Sequence, residues 1–246
     1  MRKRHAQLEL LNKAGTGRGD TRVGKHRGGR PIKGARKAAG HRKRLAFKPN
    51  QPVHVVMRVV PEVGNLRQRL MYAAIVRASI VAAKREDARI IEMSIQRTHI
   101  HLIVEADGPT ALARLMQAFE ISAAKLINRA HSEARGVEKR RRGRVFTDRY
   151  HASVITSPRQ MWNTLAYVLN NWRKHGEDAG SLMRHFAVDP FSTGPAFGAF
   201  AADDLENASF PATYQPLRVR PARTWLACVG WRRHGLIRRD EIPALP

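Results

Sequence analysis

The stretch Thr98-His99-Ile100-His101-Leu102-Ile103-Val104-Glu105 restricts the fold more than any other part of the chain. Successive side chains of a strand point to opposite faces, so Ile100, Leu102 and Val104 share one side and His99 and His101 the other. Such a strand must bury its aliphatic side in a core. The opposite side then carries two imidazoles, a pair able to hold a divalent metal ion.

Periodicity around this strand predicts the rest of the sheet. Val53-His54-Val55-Val56-Met57-Arg58-Val59-Val60 is β-branched and ends at Pro61, which reads as a first strand. Leu66, Leu70, Ala73, Ala74, Ile80 and Val81 follow helical spacing over about 65–84. Arg89 to Gln96 alternates again, with Ile91, Met93 and Ile95 expected on one face and Glu92, Ser94 and Gln96 on the other. A very short turn then leads into the His99 strand, predicting a hairpin. After Asp107-Gly108-Pro109, the residues Leu112, Leu115, Met116, Phe119, Ala123, Leu126, Ile127 and Ala130 mark an amphipathic helix. Tyr150 to Thr156 reads as a short fourth strand.

The resulting order, β-α-β-β-α-β, predicts an α+β, ferredoxin-like fold: a four-stranded antiparallel sheet with both helices on one face and the other face open for a ligand. One further helix follows over 158–175. Ser157 is placed as its N-cap, Pro158 at its first position, Gln160 for a capping box and Gly176 at its end. Trp162, Leu165, Ala166 and Leu169 form its inward stripe. Tyr167, Asn171 and Lys174 form a separate polar stripe.

Charge identifies the partner class. The chain of 246 residues has 45 Lys and Arg against 20 Asp and Glu, a net +25, which points to nucleic acid. Sixteen of these cations lie in residues 1–50, opposed only by Glu9 and Asp20. That region is rich in glycine and nearly devoid of aromatics, so it is predicted to be a disordered basic arm that grips phosphates. Within it Gly29-Arg30-Pro31 loosely resembles the core of minor-groove AT-hook peptides, making Arg30 a candidate contact. Lys139-Arg140-Arg141-Arg142-Gly143-Arg144 is a second basic run. No apolar run approaches the roughly 18 residues of a membrane span, and no signal-peptide core is evident. Cys228 is the only cysteine, which excludes an internal disulfide and a cysteine-based zinc site.

If the polar stripe of the 158–175 helix meets the histidine face, Tyr167 and Asn171 come close to His99 and His101. Two imidazole nitrogens and one amide oxygen make a mixed site suited to Mg²⁺ or Mn²⁺. A phenol beside a metal-polarised phosphate is then a candidate nucleophile.

These residues carry a resemblance. His-apolar-His on a strand, Phe146-Thr147-Asp148-Arg149-Tyr150-His151, and Tyr167-Val168-Leu169-Asn170-Asn171-Trp172-Arg173-Lys174-His175-Gly176 together resemble the HUH single-tyrosine transposases, and the REP-associated tyrosine transposases among them. The resemblance covers about 50–177. It implies metal ligation by His99, His101 and Asn171, and a nucleophilic Tyr167 that cleaves single-stranded DNA at hairpin-forming repeats through a 5′-phosphotyrosine link. It further implies a cytoplasmic, nucleoid-associated bacterial enzyme, either monomer or homodimer. On this reading residues 51–177 are the catalytic domain. Residues 178–246 are an irregular extension, of which 178–220 is expected to wrap over the domain and 221–246 to form a small helix anchored by Trp225 and Trp231. Arg58, Arg140, Arg141, Arg142, Arg144 and Lys174 are candidate DNA contacts. The chain departs from many relatives in having Arg97-Thr98 before the first histidine and Trp172 after Asn171.

Other readings stay open at this level. His54 and Arg58 alternate on the first strand and can face the site or solvent. Tyr150 is a rival nucleophile without a ligand one turn away. A non-catalytic single-strand-binding sheet is the alternative function, although the central strands lack the aromatic platform such a sheet uses.

Overall fold

The computed structural model describes residues 46–180, 183–201, 210 and 214–241. Most of the basic arm, with Arg30 and its Gly-Arg-Pro stretch, lies outside them.

Four strands form the sheet: β1 (Val53–Arg58), β2 (Ala88–Ile95), β3 (His99–Ala106) and β4 (His151–Val154). Their order is β2-β3-β1-β4 and every neighbouring pair is antiparallel. With α1 (Arg69–Ala83) between β1 and β2, and α2 (Pro109–Glu133) between β3 and β4, this is the expected ferredoxin-like α+β arrangement. Val55, Met57, Ile100, Leu102 and Val104 pack with Ile75, Leu115 and Phe119 in one core cluster, all nearly fully buried. Phe47, just ahead of β1, also packs against it. No described helix is long and apolar enough to cross a membrane.

The β2 face assignment needs correction at one residue. Pairing with β3 runs Ile90↔Val104 and then Glu92↔Ile103, so Ile91 is the extra residue of a β-bulge. Ile91 therefore leaves Met93 and Ile95 and joins a second core cluster on the opposite face.

That second cluster also corrects the expectation of an open face. The helix α3 (Pro158–Lys174) lies across the histidine side of the sheet. Its Met161, Leu165, Val168 and Leu169 pack with Ile91, Ile103 and Ile155, joined by Val188, Phe200, Leu226, Trp231 and Ile237 from the C-terminal residues. The molecule thus has a third layer on this side of the sheet. Locally, α3 follows its sequence signals. Ser157 Oγ accepts from Gln160 N at 3.2 Å, and Gln160 Oε1 accepts from Thr156 N at 2.8 Å. At the far end Gly176 has φ +62°; Glu177 N donates to Trp172 O and Gly176 N to Arg173 O, a Schellman close that needs a left-handed residue.

Among the described residues beyond 177, regular structure is limited to α4 (Trp225–Cys228) and short 3₁₀ turns. This extension is held tightly. Phe191 O and Thr193 N bond to Ile95 N and Met93 O, and Arg220 N bonds to Ile90 O, so these segments cover the free edge of β2. Arg67 binds Asp189 through two hydrogen bonds of 2.9 and 2.8 Å, donates to Ile95 O, and lies 4.3 Å over the Phe191 ring. Of the two expected anchors only Trp231 serves, at 2% exposure; Trp225 remains 48% exposed.

Candidate active site

Strand pairing builds the site first. His99 lies opposite Arg58 and His101 opposite Val56, while His54 is two residues back on β1. Directly opposed residues share a face, so His54, Arg58, His99 and His101 project together, with Ser94 of β2 opposite His101. The apolar side of each strand is bound into the first core, which leaves these side chains no other direction.

The helix α3 then brings its own residues onto that face. The Tyr167 ring stands edge-on to His101 at 5.3 Å and to His54 at 6.0 Å between centroids. The His175 ring, capping the helix, is 5.2 Å from that of His99. Tyr167 and His175 are two turns apart on one face, so Asn171 falls between them. Lys174 Nζ sits 5.1 Å from the Tyr167 ring centroid. The expected convergence of Tyr167 and Asn171 on the histidine pair thus occurs within one chain.

Hydrogen bonding leaves particular atoms free. His101 Nδ1 and His54 Nε2 are 3.1 Å apart in a hydrogen bond, and their rings stack at 5.3 Å. His101 Nε2, both amide atoms of Asn171, and Gln96 Oε1 are buried without a protein partner. Buried polar atoms are nearly always satisfied, so orphans grouped on one face indicate a missing ligand. Imidazole nitrogen and amide oxygen suit a divalent cation such as Mn²⁺ or Mg²⁺, and the residues fit one. Among the described residues no group of three or more His, Cys, Asp or Glu side chains forms a metal cluster; the third donor here is an amide.

Electrostatics favour neutral ligands. Burial lowers the His101 pKa to about 2, with His54, His99, His175 and Arg58 adding to the effect. His54 falls to about 4 through burial and the neighbouring His151. Burial, His175 and Arg58 bring His99 to about 4 as well. All three are therefore neutral at pH 7, and each ring keeps one N–H and offers one lone pair. Burial raises the Tyr167 phenol above its ordinary value, with Arg58 pulling the other way.

The other candidates are more dispersed. Arg58 is exposed at the rim of the histidine face. In the loop between α2 and β4, Arg140 and Arg142 are exposed, whereas Arg141 folds back onto Asn128 Oδ1 at 2.6 Å and the Arg144 carbonyl at 3.1 Å. The Arg144 guanidinium donates to Phe146 O. Arg141 and Arg144 thus shape the loop, leaving Arg140 and Arg142 as its outward cations. Further along the same loop, Thr147 N and Oγ1 donate to the Arg58 carbonyl at 2.9 and 3.4 Å, which ties the loop's end to the strand carrying His54.

Sequence reasoning missed the full extent of the cluster. His175 was legible at i+8 from Tyr167 on the same stripe, and Gln96 at the hairpin position beside His99. His54 had the right period, but only pairing register separates site from solvent.

The face thus brings buried histidines together with a helix bearing tyrosine and asparagine. The chain belongs to the IS200-like transposases: that family's model matches residues 48–171, half of its length. Among solved structures, a REP-associated tyrosine transposase bound to a REP hairpin is similar at 14% identity and a TM-score of 0.47, over 73% of this chain and 99% of that one. No curated protein sequence matches the chain.

Proposed function

We propose that this chain is a divalent-metal-dependent endonuclease and strand transferase for single-stranded DNA, acting at hairpin-forming repeats through a 5′-phosphotyrosine link. The observation that carries this reading is the meeting of Tyr167 with His101 at 5.3 Å beside the partnerless His101 Nε2 and Asn171 amide. Membership of the transposase family gives the reaction class, and the hairpin substrate follows from the motif resemblance.

His99, His101 and Asn171 would hold the metal ion, which when bound offsets charge building on the non-bridging phosphate oxygens. Tyr167 Oη attacks phosphorus. The new Oη–P bond forms as the bond to the 3′ oxygen breaks, and the phenol proton is lost while the departing oxygen ends as a 3′-hydroxyl. One phosphodiester is exchanged for another, so the 3′-hydroxyl can reverse the step. Burial raises the Tyr167 phenol pKa, which favours the neutral form, and Arg58 pulls towards the ionised one. Tyr167 is 6% exposed on a largely buried helix, which supports a restricted phenol, and orientation supplies much of the rate in such reactions. Arg58, Lys174, Arg140 and Arg142 would take backbone phosphates, and the 1–50 arm would add affinity without base specificity.

The test is incubation of the full chain with single-stranded hairpin oligonucleotides, with and without Mn²⁺. Cleavage that needs the metal and is abolished in His99→Ala and His101→Ala is expected. Tight binding of single strands with no cleavage of any hairpin would instead make the chain a non-catalytic binding protein.

A further inference from the structure

We infer that His54 is a positioning residue for His101. It fixes the ring so that Nε2, rather than Nδ1, is the atom offered to the metal. The inference rests on the metal-dependent reading above and adds a residue outside the ligand set.

An imidazole has two nitrogens, and which one ligates is set by the bond made at the other. His101 Nδ1 is committed to His54 Nε2 at 3.1 Å, and the two rings lie nearly parallel, 17° between planes. His101 Nε2 is buried and free of protein partners. The His101 ring as a whole meets Tyr167 of α3 edge-on, with centroids 5.3 Å apart and 90° between planes. Were His54 Nε2–H the donor, His101 would carry its proton on Nε2, leaving a buried donor unmatched; such an atom costs about 1–3 kcal/mol. With His101 Nδ1–H donating to His54 Nε2, the exposed lone pair on His101 Nε2 is a ligand in need of a cation. Metal-bound histidines elsewhere are commonly held by a carboxylate, a backbone carbonyl or water. Here a second histidine on the neighbouring strand performs that task. A carboxylate would add a buried negative charge, whereas an imidazole nitrogen accepts the hydrogen bond without one.

Mn²⁺ binding, measured by calorimetry on the full metal-free chain, tests the inference alongside ¹⁵N NMR of the histidine tautomers. His54→Phe keeps a ring against His101 but removes the acceptor. His54→Gln restores an acceptor oxygen. His54→Phe is expected to bind Mn²⁺ about 10- to 100-fold more weakly than wild type. His54→Gln should recover most of that loss, and wild-type His101 should be the Nδ1–H tautomer. Thermal melting of the metal-free variants verifies that each is folded. A folded His54→Phe that binds Mn²⁺ as wild type does, or a folded His54→Gln no better than His54→Phe, overturns the role of His54. Wild type that binds no Mn²⁺ overturns the metal reading instead. Finding His101 as Nε2–H overturns the proposed tautomer directly.

Discussion

A histidine at 3% exposure with a bare ring nitrogen is costly to keep in a folded chain, and this chain keeps one at position 101 next to an equally bare Asn171. The histidines have a consequence for stability that metal-free protein can report. The folded-state values of His54 and His99 are about 4 and that of His101 about 2, all below the ordinary 6.5. A lowered folded value means that the unfolded chain binds protons first. Stability is therefore complete above about pH 6.5 and declines as pH falls towards 4. Melting curves of wild type between pH 7.5 and 4.5 should show this decline, and a His54→Phe, His101→Phe double variant should show a shallower one. Asp189 makes a second argument at this scale. It is fully buried and bidentate to Arg67, so Asp189→Ala leaves that buried guanidinium only Ile95 O and, at 3.7 Å, Glu177 as oxygen partners, and should destabilise by about 3 kcal/mol in urea unfolding. A change under about 1 kcal/mol would mean that water reaches Arg67 and the pair is not structural.

Helix α3 is the element on which the site depends. Its start, its stop and its apolar stripe were all written in sequence: Ser157, Pro158 and Gln160, then Gly176, with Leu165 and Leu169 between. Gly176→Ala should destabilise by about 1–2 kcal/mol, because the left-handed φ of +62° then carries a Cβ. What the sequence withheld was the surface that receives the helix. Ile91 reaches that surface only through the bulge in β2, and an extra residue in one strand leaves no mark in a period-two pattern. The strands themselves were legible because alternation is a local property. Whether His54 faces solvent or site is set by pairing with a strand 47 residues away, and no local pattern encodes it.

At the scale of the whole molecule, α3 and the C-terminal extension together add a third layer to the two-layer sheet. Its attachments join residues far apart in sequence: Arg67 to Asp189, Arg173 Nε to Arg239 O, Asn170 Nδ2 to Arg238 O, and Glu105 to the backbone of Arg223 and Thr224. Irregular segments carry no periodicity, so composition revealed only that a wrap exists. The charge of +25 has its own expected effect. Single-strand affinity should fall steeply with salt, with a slope of about −0.7 per phosphate neutralised. Arg140→Ala with Arg142→Ala should flatten that slope by about one unit for each cation that grips a phosphate, as read by anisotropy across a salt series. An unchanged slope would assign both arginines to solvent. The proposed function rests on a single chemical claim, that Tyr167 becomes covalently joined to DNA. Mass spectrometry of the protein after reaction with a hairpin single strand and Mn²⁺ tests it most directly. The expected result is an adduct on the peptide containing Tyr167, bearing the 5′ phosphate of the cut strand and absent in Tyr167→Phe. An adduct that persists in Tyr167→Phe, or maps to Tyr150, would contradict it.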